Sequence, residues 1–254
     1  MNENEIVKYD EEYYVCVSNA FIKANQNLPL NENKLLRIMI SQVVITDKEL
    51  KSYTTTIPEL AQALNVIPDN LYRNIDKMTS TLMQQIIKID KGKNKWDKFQ
   101  LFSKCKYDNG VLTMQLHEEL KPFLLGLQKL YTQYQIGVII GMKSTYAIRV
   151  YELLKEKRKN NGLIKENESL TISIEDLRIA TDTINKYGLT DFKRNVLEIS
   201  AREISCNSEF AIDYEQIKDG RKVVAFKFNI YSHNSPKGEE ILKKYGCEDW
   251  CIVK

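Results

Sequence analysis

Arg194, Asn195 and Arg202 have side chains suited to reading DNA. A guanidinium fork matches guanine O6 and N7, and a carboxamide matches adenine N6 and N7, in the major groove. Residues 190–205 read Thr-Asp-Phe-Lys-Arg-Asn-Val-Leu-Glu-Ile-Ser-Ala-Arg-Glu-Ile-Ser. At helical spacing Phe192, Val196 and Ile199 share one face, flanked by Leu197 and Ile204, while Arg194, Asn195 and Arg202 share the other. Lys193 lies toward the apolar edge, where its stem could simply run along the core. The bland alternative is a solvated surface helix in which Glu198, four residues from both arginines, pairs with the two of them. What tips the balance toward DNA is the order of elements around this helix, which occurs twice.

In the first half, residues 14–25 predict a helix with Ser18 or Asn19 as N-cap, and residues 31–44 an amphipathic helix carrying Leu35, Ile38, Met39 and Val43. Residues 53–57 are β-prone. Thr56-Ile-Pro-Glu59 is a capping box with Pro just inside the helix it starts. After a turn at 65–68, residues 69–85 predict a second helix with Leu71, Ile75, Met78 and Leu82 inward. Its outward residues Asn70, Arg73, Asn74 and Lys77 are candidate DNA contacts. Strand-like stretches at 86–90, 96–106 and 111–116 follow, and residues 84–106 hold seven lysines against two aspartates. Two short helices and a basic hairpin make a winged helix, in which Lys91, Lys93, Lys95 and Lys98 would anchor phosphates. A helix over 117–130 closes this half.

The second half repeats the order. Residues 143–160 predict a helix with Tyr146, Val150, Leu153 and Leu154 inward, a basic end at Lys155, Lys157, Arg158 and Lys159, and a stop at Asn160-Asn161-Gly162. Residues 170–174 match the β-prone stretch at 53–57, and Ser173-Ile-Glu-Asp176 is a second capping box. The helix at 190–205 is followed by a hairpin, 209–217 and 222–231, whose turn groups Lys218, Arg221 and Lys222 as wing candidates. Five elements in the same order predict an internal duplication. The expected fold class is α+β: two tandem winged-helix domains at 14–132 and 133–232, joined by a bridge near 131–141. An acidic flexible arm, 1–13, and a polar tail, 233–254, flank them; the tail includes a short helix over 237–245 with no assigned role.

Composition excludes more than it selects. Net charge is only +3, from 37 basic and 34 acidic residues, so the placement of charge has to decide the partner. No secretion or lipid signal and no run of about 18 apolar residues is read, so a cytoplasmic chain without membrane attachment is expected. The five cysteines then read as reduced thiols, and Cys247, Cys251 and His233 lack a convincing fourth metal ligand. Gly137-Val-Ile-Ile-Gly141-Met-Lys143-Ser144 misses the spacing of a phosphate-binding loop. DNA-nicking initiators need paired histidines, whereas only His117 and His233 occur, far apart. No carboxylate pattern suggests acid–base work. Neither an enzyme nor a cofactor is expected.

Three stretches together resemble the theta-type, iteron-binding plasmid replication initiators, the Initiator Rep protein family. They are Val17-Ser-Asn-Ala-Phe-Ile-Lys-Ala24 leading into 35–44, Ser144-Thr-Tyr-Ala-Ile-Arg-Val-Tyr-Glu-Leu-Leu154, and Phe192-Lys-Arg-Asn-Val-Leu-Glu-Ile-Ser-Ala-Arg-Glu-Ile204. The second is the most specific, and the likeness runs from about residue 14 to 231. It implies winged-helix domains on repeated sites at a plasmid origin, with a monomer that initiates and a homodimer that represses its own promoter at an operator. A host replication initiator and replicative helicase are the further partners implied. By position, Lys193, Arg194 and Asn195 fall at the basic start of the second recognition helix. Arg149, inside the central helix, reads equally as half of an internal ion pair or as a phosphate contact. The alternatives are a winged-helix transcriptional repressor with no direct role in initiation and, from another class, a protein–protein adaptor.

Overall fold

Thr56 and Ser173 each end a strand and cap a helix, and each marks the start of the same motif. The computed structural model describes residues 5–6, 9–158 and 168–247 and divides into two compact units, 1–140 and 141–254. Along the first unit run β1 (Glu5–Ile6), β2 (Tyr14–Ser18), α1 (Asn19–Lys23), α2 (Leu30–Ser41), β3 (Ser52–Thr56), α3 (Ile57–Leu64) and α4 (Pro68–Gln84). Then come β4 (Ile86–Asp90), β5 (Trp96–Gln100), β6 (Phe102–Asp108), β7 (Val111–Leu116), α5 (Lys121–Leu124), β8 (Tyr131–Gln135) and α6 (Ile136–Gly141). The Thr56 hydroxyl accepts from Glu59 N, and the Glu59 carboxylate accepts from Thr56 N at 2.9 Å, so the capping box is complete. β3 pairs with β7 and β7 with β6, with β1 alongside β3 in parallel.

Three expectations for this unit fail, each for a local reason. Residues 14–25 are not one helix. Val15 and Val17 are buried while Tyr14 is exposed, a two-residue period that makes β2 and pairs it with β8; only from Asn19, with Ser18 as N-cap, does a helix begin. Residues 117–130 are not a long helix either. They make a 3-10 turn (Glu118–Leu120) and the single turn of α5, and Gly126 and Leu130 then take positive φ, which ends helical geometry. Residues 96–106 are two strands, because Leu101 turns inward between β5 and β6 and is fully buried. The bridge stretch 131–141 forms β8 and α6, with Thr132, Tyr134 and Ile136 alternately buried. Of the acidic arm, residues 1–4 and 7–8 lie outside the described residues.

The second unit holds α7 (Thr145–Lys157), β9 (Glu168–Ser173), α8 (Ile174–Ala180), α9 (Leu189–Phe192), a π turn (Lys193–Leu197), α10 (Glu198–Asn207), β10 (Ala211–Asp219), β11 (Lys222–Tyr231) and α11 (Pro236–Tyr245). Its sheet order, β10-β11-β9, repeats β6-β7-β3, and Ser173 Oγ accepts from Asp176 N at 2.9 Å. Both units are therefore winged helices built on one topology. The expected central helix is α7, capped by Ser144. Its motif serves the core: Arg149 and Glu152 form a buried ion pair, Arg149 Nε donates to Ala180 O at 3.1 Å, and Leu153 and Leu154 are buried. Tyr151 Oη donates to Glu209, while Tyr146, expected inward, is half-buried against Tyr187. Of the two readings of Arg149, the structure selects the internal pair. The basic helix end is likewise tied down, Lys155 to Glu209 at 2.7 Å and Arg158 to Glu168 at 2.8 Å. Lys159 and the stop at 160–162 lie outside the described residues.

The cysteines require a correction. Cys206 and Cys247 are joined as a disulfide, because α11 brings the chain back to the end of α10; Cys16 and Cys105 are free thiols, and Cys251 lies outside the described residues. Among the described residues no group of His, Cys, Asp and Glu is placed to hold a metal ion, and no helix is long and apolar enough to cross a membrane.

His233 lies just before α11. Burial lowers its imidazole below the usual 6.5, against opposing hydrogen bonds with the backbone of Phe210 and Ser205 and the charge of Glu209. The fold thus favours the neutral ring, while the unfolded chain takes up the proton first as pH falls. Stability is expected to drop as pH falls below about 6.5, the ordinary histidine value. Urea midpoints at about pH 7.5 and 5.5 should show this drop in the native chain and a smaller one in His233→Gln.

Candidate nucleic-acid interface

In the first unit, α4 buries Leu71, Ile75, Met78 and Leu82 and exposes Asn70, Arg73, Asn74 and Lys77. Asn65, at φ 54°, closes α3 in the left-handed region that Asn tolerates, which permits the tight turn into Pro68 at the start of α4. Asn74 Nδ2 donates to Asn70 O at 2.7 Å, so its amide partly serves its own helix. Lys77 lies near the Glu32 carboxylate of α2.

The lysine-rich hairpin is not the topological counterpart of the second unit's wing. That counterpart is β6–β7, which shares a sheet with β3 and closes at Asp108-Asn109-Gly110. β4 and β5 instead form a separate two-stranded ribbon inserted between α4 and the wing. One face buries Ile87 and Ile89; the other carries Trp96, 53% exposed, with Lys98 Nζ at 4.8 Å and Lys88 Nζ at 5.9 Å from its ring centroid. The tip is set by Gly92 N donating to Asp90 Oδ1 and Lys95 N to Gly92 O, both at 2.9 Å, with Gly92 at φ 106°. Lys93, Lys95 and Lys98 are exposed, and Lys91 pairs with Asp97. Lysines on a narrow ribbon can follow a phosphate backbone, and an exposed indole adds a stacking surface.

In the second unit, α9, the π turn and α10 run as one helix over 189–207, the candidate reading helix. The wider turn falls on Lys193–Leu197, where regular α periodicity was expected. It buries both Val196 and Leu197 and leaves Arg194 exposed; π turns inside helices recur at functional sites. Phe192, Val196, Ala201 and Ile204 anchor the inner face. Arg194 is 72% exposed, donating to Asp191 Oδ1 at 2.7 Å and to Asn195 Oδ1 at 3.4 Å, and Arg202 is 54% exposed. Glu203 Oε2 accepts from Lys143 N and Ser144 N at 2.7 and 2.9 Å, fixing this helix to the start of α7. The expected pairing of Glu198 with both arginines is not what the structure has: Glu198 meets Lys244, Tyr245 and Tyr214 instead. The wing places Lys218, Arg221 and Lys222 at an exposed turn through Gly220, at φ 57°. Lys193 and Lys218 line one surface concavity with Glu198, Tyr214 and Tyr245, so wing and candidate reading helix adjoin.

The model for the family described as Initiator Replication protein, WH1, matches residues 14–155, and that for Initiator Rep protein, WH2, matches residues 173–230. The chain belongs to the Initiator Rep protein family. That Rep family is one of winged-helix replication initiators, not of enzymes. A replication initiation protein of Escherichia coli is 24% identical over 188 residues, 72% of this chain; the match spans 58% of that relative's length. A crystal structure of Pi initiator protein in complex with iteron DNA has a TM-score of 0.72 and 18% identity, covering 89% of this chain and all of that one, a likeness of fold. The Rep family matches stop at residue 230, so α11 and its contacts to Glu198 fall outside them. Sequence reasoning missed these contacts because they join residues 46 and 47 apart. It also missed Trp96, whose one signal is its place between Lys95 and Lys98 in a period-two stretch.

Proposed function

We propose that this chain is a plasmid replication initiator that binds repeated double-stranded sites at its origin. The observation that carries the reading is the second unit's helix over 189–207, on which Arg194 and Arg202 are exposed and Asn195 half-buried, and whose Lys193 lines one concavity with Lys218 of the wing. In this reading Arg194 and Asn195 contact bases, with Lys193 and Arg202 at the flanks of the same helix. In the first unit Asn70, Arg73, Asn74 and Lys77 face DNA, and Lys91, Lys93, Lys95 and Lys98 grip phosphates. Monomers on adjacent repeats deform the origin and recruit the host initiator and helicase, while a homodimer represses the chain's own promoter. Family membership and the iteron DNA bound by the Pi initiator support it.

The direct test is replacement of the gene in a minimal plasmid by one encoding Arg194→Ala. Loss of maintenance is expected; maintenance with derepressed transcription would make the chain a repressor instead. Lys93→Ala should weaken repeat and scrambled duplexes alike and reduce the slope of log K against log salt by about 1, as for one lost phosphate contact. An unchanged slope in a salt-series titration would remove the ribbon from the DNA surface.

A further inference from the structure

Glu198 is a liability on a helix that faces a polyanion. It lies four residues after Arg194 and four before Arg202, in the middle of the polar face, and it is exposed. Three side chains from outside the helix converge on its carboxylate. Tyr245 Oη donates to Oε1 at 3.3 Å, Tyr214 Oη to Oε2 at 3.4 Å, and Lys244 Nζ stands 3.6 Å from Oε1. Tyr214 comes from β10; Lys244 and Tyr245 come from the last turn of α11. Lys244 is itself held over the Tyr245 ring at 4.7 Å and donates to the Tyr245 hydroxyl at 3.3 Å.

The helix that delivers them is firmly built. Ser235 caps it, accepting from Gly238 N at 3.1 Å and donating to Ser232 O at 2.7 Å. A Cβ on Gly238 would come within 2.0 Å of Ser232 O, so only glycine lets the helix approach the end of β11 this closely. Ile241 is buried, Gly246 ends the helix at φ 69°, and Cys247 is joined to Cys206 near the end of α10. α11 is thus pinned to the reading helix at one end by a disulfide and alongside it by Glu198.

We propose that α11 is a positioning element for the reading helix: Lys244 and Tyr245 draw the Glu198 carboxylate aside and neutralise it, leaving Arg194, Asn195 and Arg202 to meet the DNA. A glutamate can also read DNA, by accepting from cytosine N4. That role needs a carboxylate oxygen aimed at the groove, whereas here both oxygens are engaged from the flank. Burial, and then the Glu198 charge, push the Tyr214 hydroxyl up to about 12, so it remains a donor at neutral pH; Tyr245 is raised by the same two causes.

This inference rests on the reading of DNA by the helix over 189–207, and one assay separates the two. Anisotropy titrations of the full chain would use a duplex of its own repeat and a scrambled duplex. The double variant Lys244→Ala, Tyr245→Phe is expected to weaken both duplexes about three- to tenfold, within the usual range of coupling between neighbouring groups. Glu198→Gln alone should change affinity by less than about twofold, and added to the double variant it should restore nearly all of the loss, most visibly at low salt. Lys244→Gln repeats the test with the side chain's packing kept. Absence of rescue would overturn the clamp and make Lys244 a phosphate contact. So would a loss on Glu198→Gln confined to the repeat duplex, which would make Glu198 a base reader. If Arg194→Ala in the same series leaves the repeat bound as before, DNA reading fails and the clamp with it. If Arg194→Ala weakens binding and the rescue is absent, the clamp alone falls.

Discussion

Arg149→Ala is expected to destabilise the second unit by about 3–5 kcal/mol, the cost of breaking a buried ion pair from one side. The arginine is 1% exposed and its partner Glu152 2%, and Arg149 Nε also holds Ala180 O, so α7 is joined to the end of α8 through one guanidinium. Removing it takes the opposite charge away from a carboxylate that is itself 2% exposed, which costs more than the pair contributes. Urea titrations monitored by circular dichroism should show the midpoint fall. Arg149→Met with Glu152→Leu, which removes both charges and keeps the volume, should recover most of the loss. A single variant within about 1 kcal/mol of the native chain, below what such a break costs, would mean that Arg149 is not the core tie described.

Arg194→Ala is expected to leave the fold intact, since the side chain is 72% exposed and its Asp191 pair lies within one helical turn. Its effect should fall on binding. A bidentate base contact contributes about 1–3 kcal/mol, so affinity for the repeat should fall some 5- to 150-fold, while a duplex altered at the contacted base pair should lose far less. Asp191 and Asn195 hold the guanidinium from either side, and this limits its freedom before DNA arrives. Asn195→Ala should relax a different position. If Arg194→Ala weakens every duplex equally, Arg194 grips phosphate rather than reading a base.

Helix starts were legible because capping is local chemistry. Thr56 with Glu59 and Ser173 cap where their hydroxyls and spacing indicated, and the buried stripe of α4 follows its apolar period. Residues 14–18 were misread because Val17, Phe21 and Ala24 fit a helical period, while Val15 and Val17 fit a strand. Pairing with β8, more than a hundred residues on, decides between them. The π turn left only the adjacent apolar pair Val196 and Leu197, which regular spacing splits between two faces. Within the site, the outward basic residues of α4, the ribbon and both sides of the β10–β11 turn were readable as charge on a periodic scaffold. What flanks them was not: Glu198 is governed by Lys244 and Tyr245, and long-range neighbours leave no mark in local spacing.

The most direct test of DNA reading by the second unit is a shift titration of the purified chain at physiological salt. It would compare tandem repeats lying beside the coding region with a scrambled duplex of equal length and composition. A preference for the repeats of about a thousandfold or more is expected of a specific reader. Equal affinity for both duplexes would contradict it.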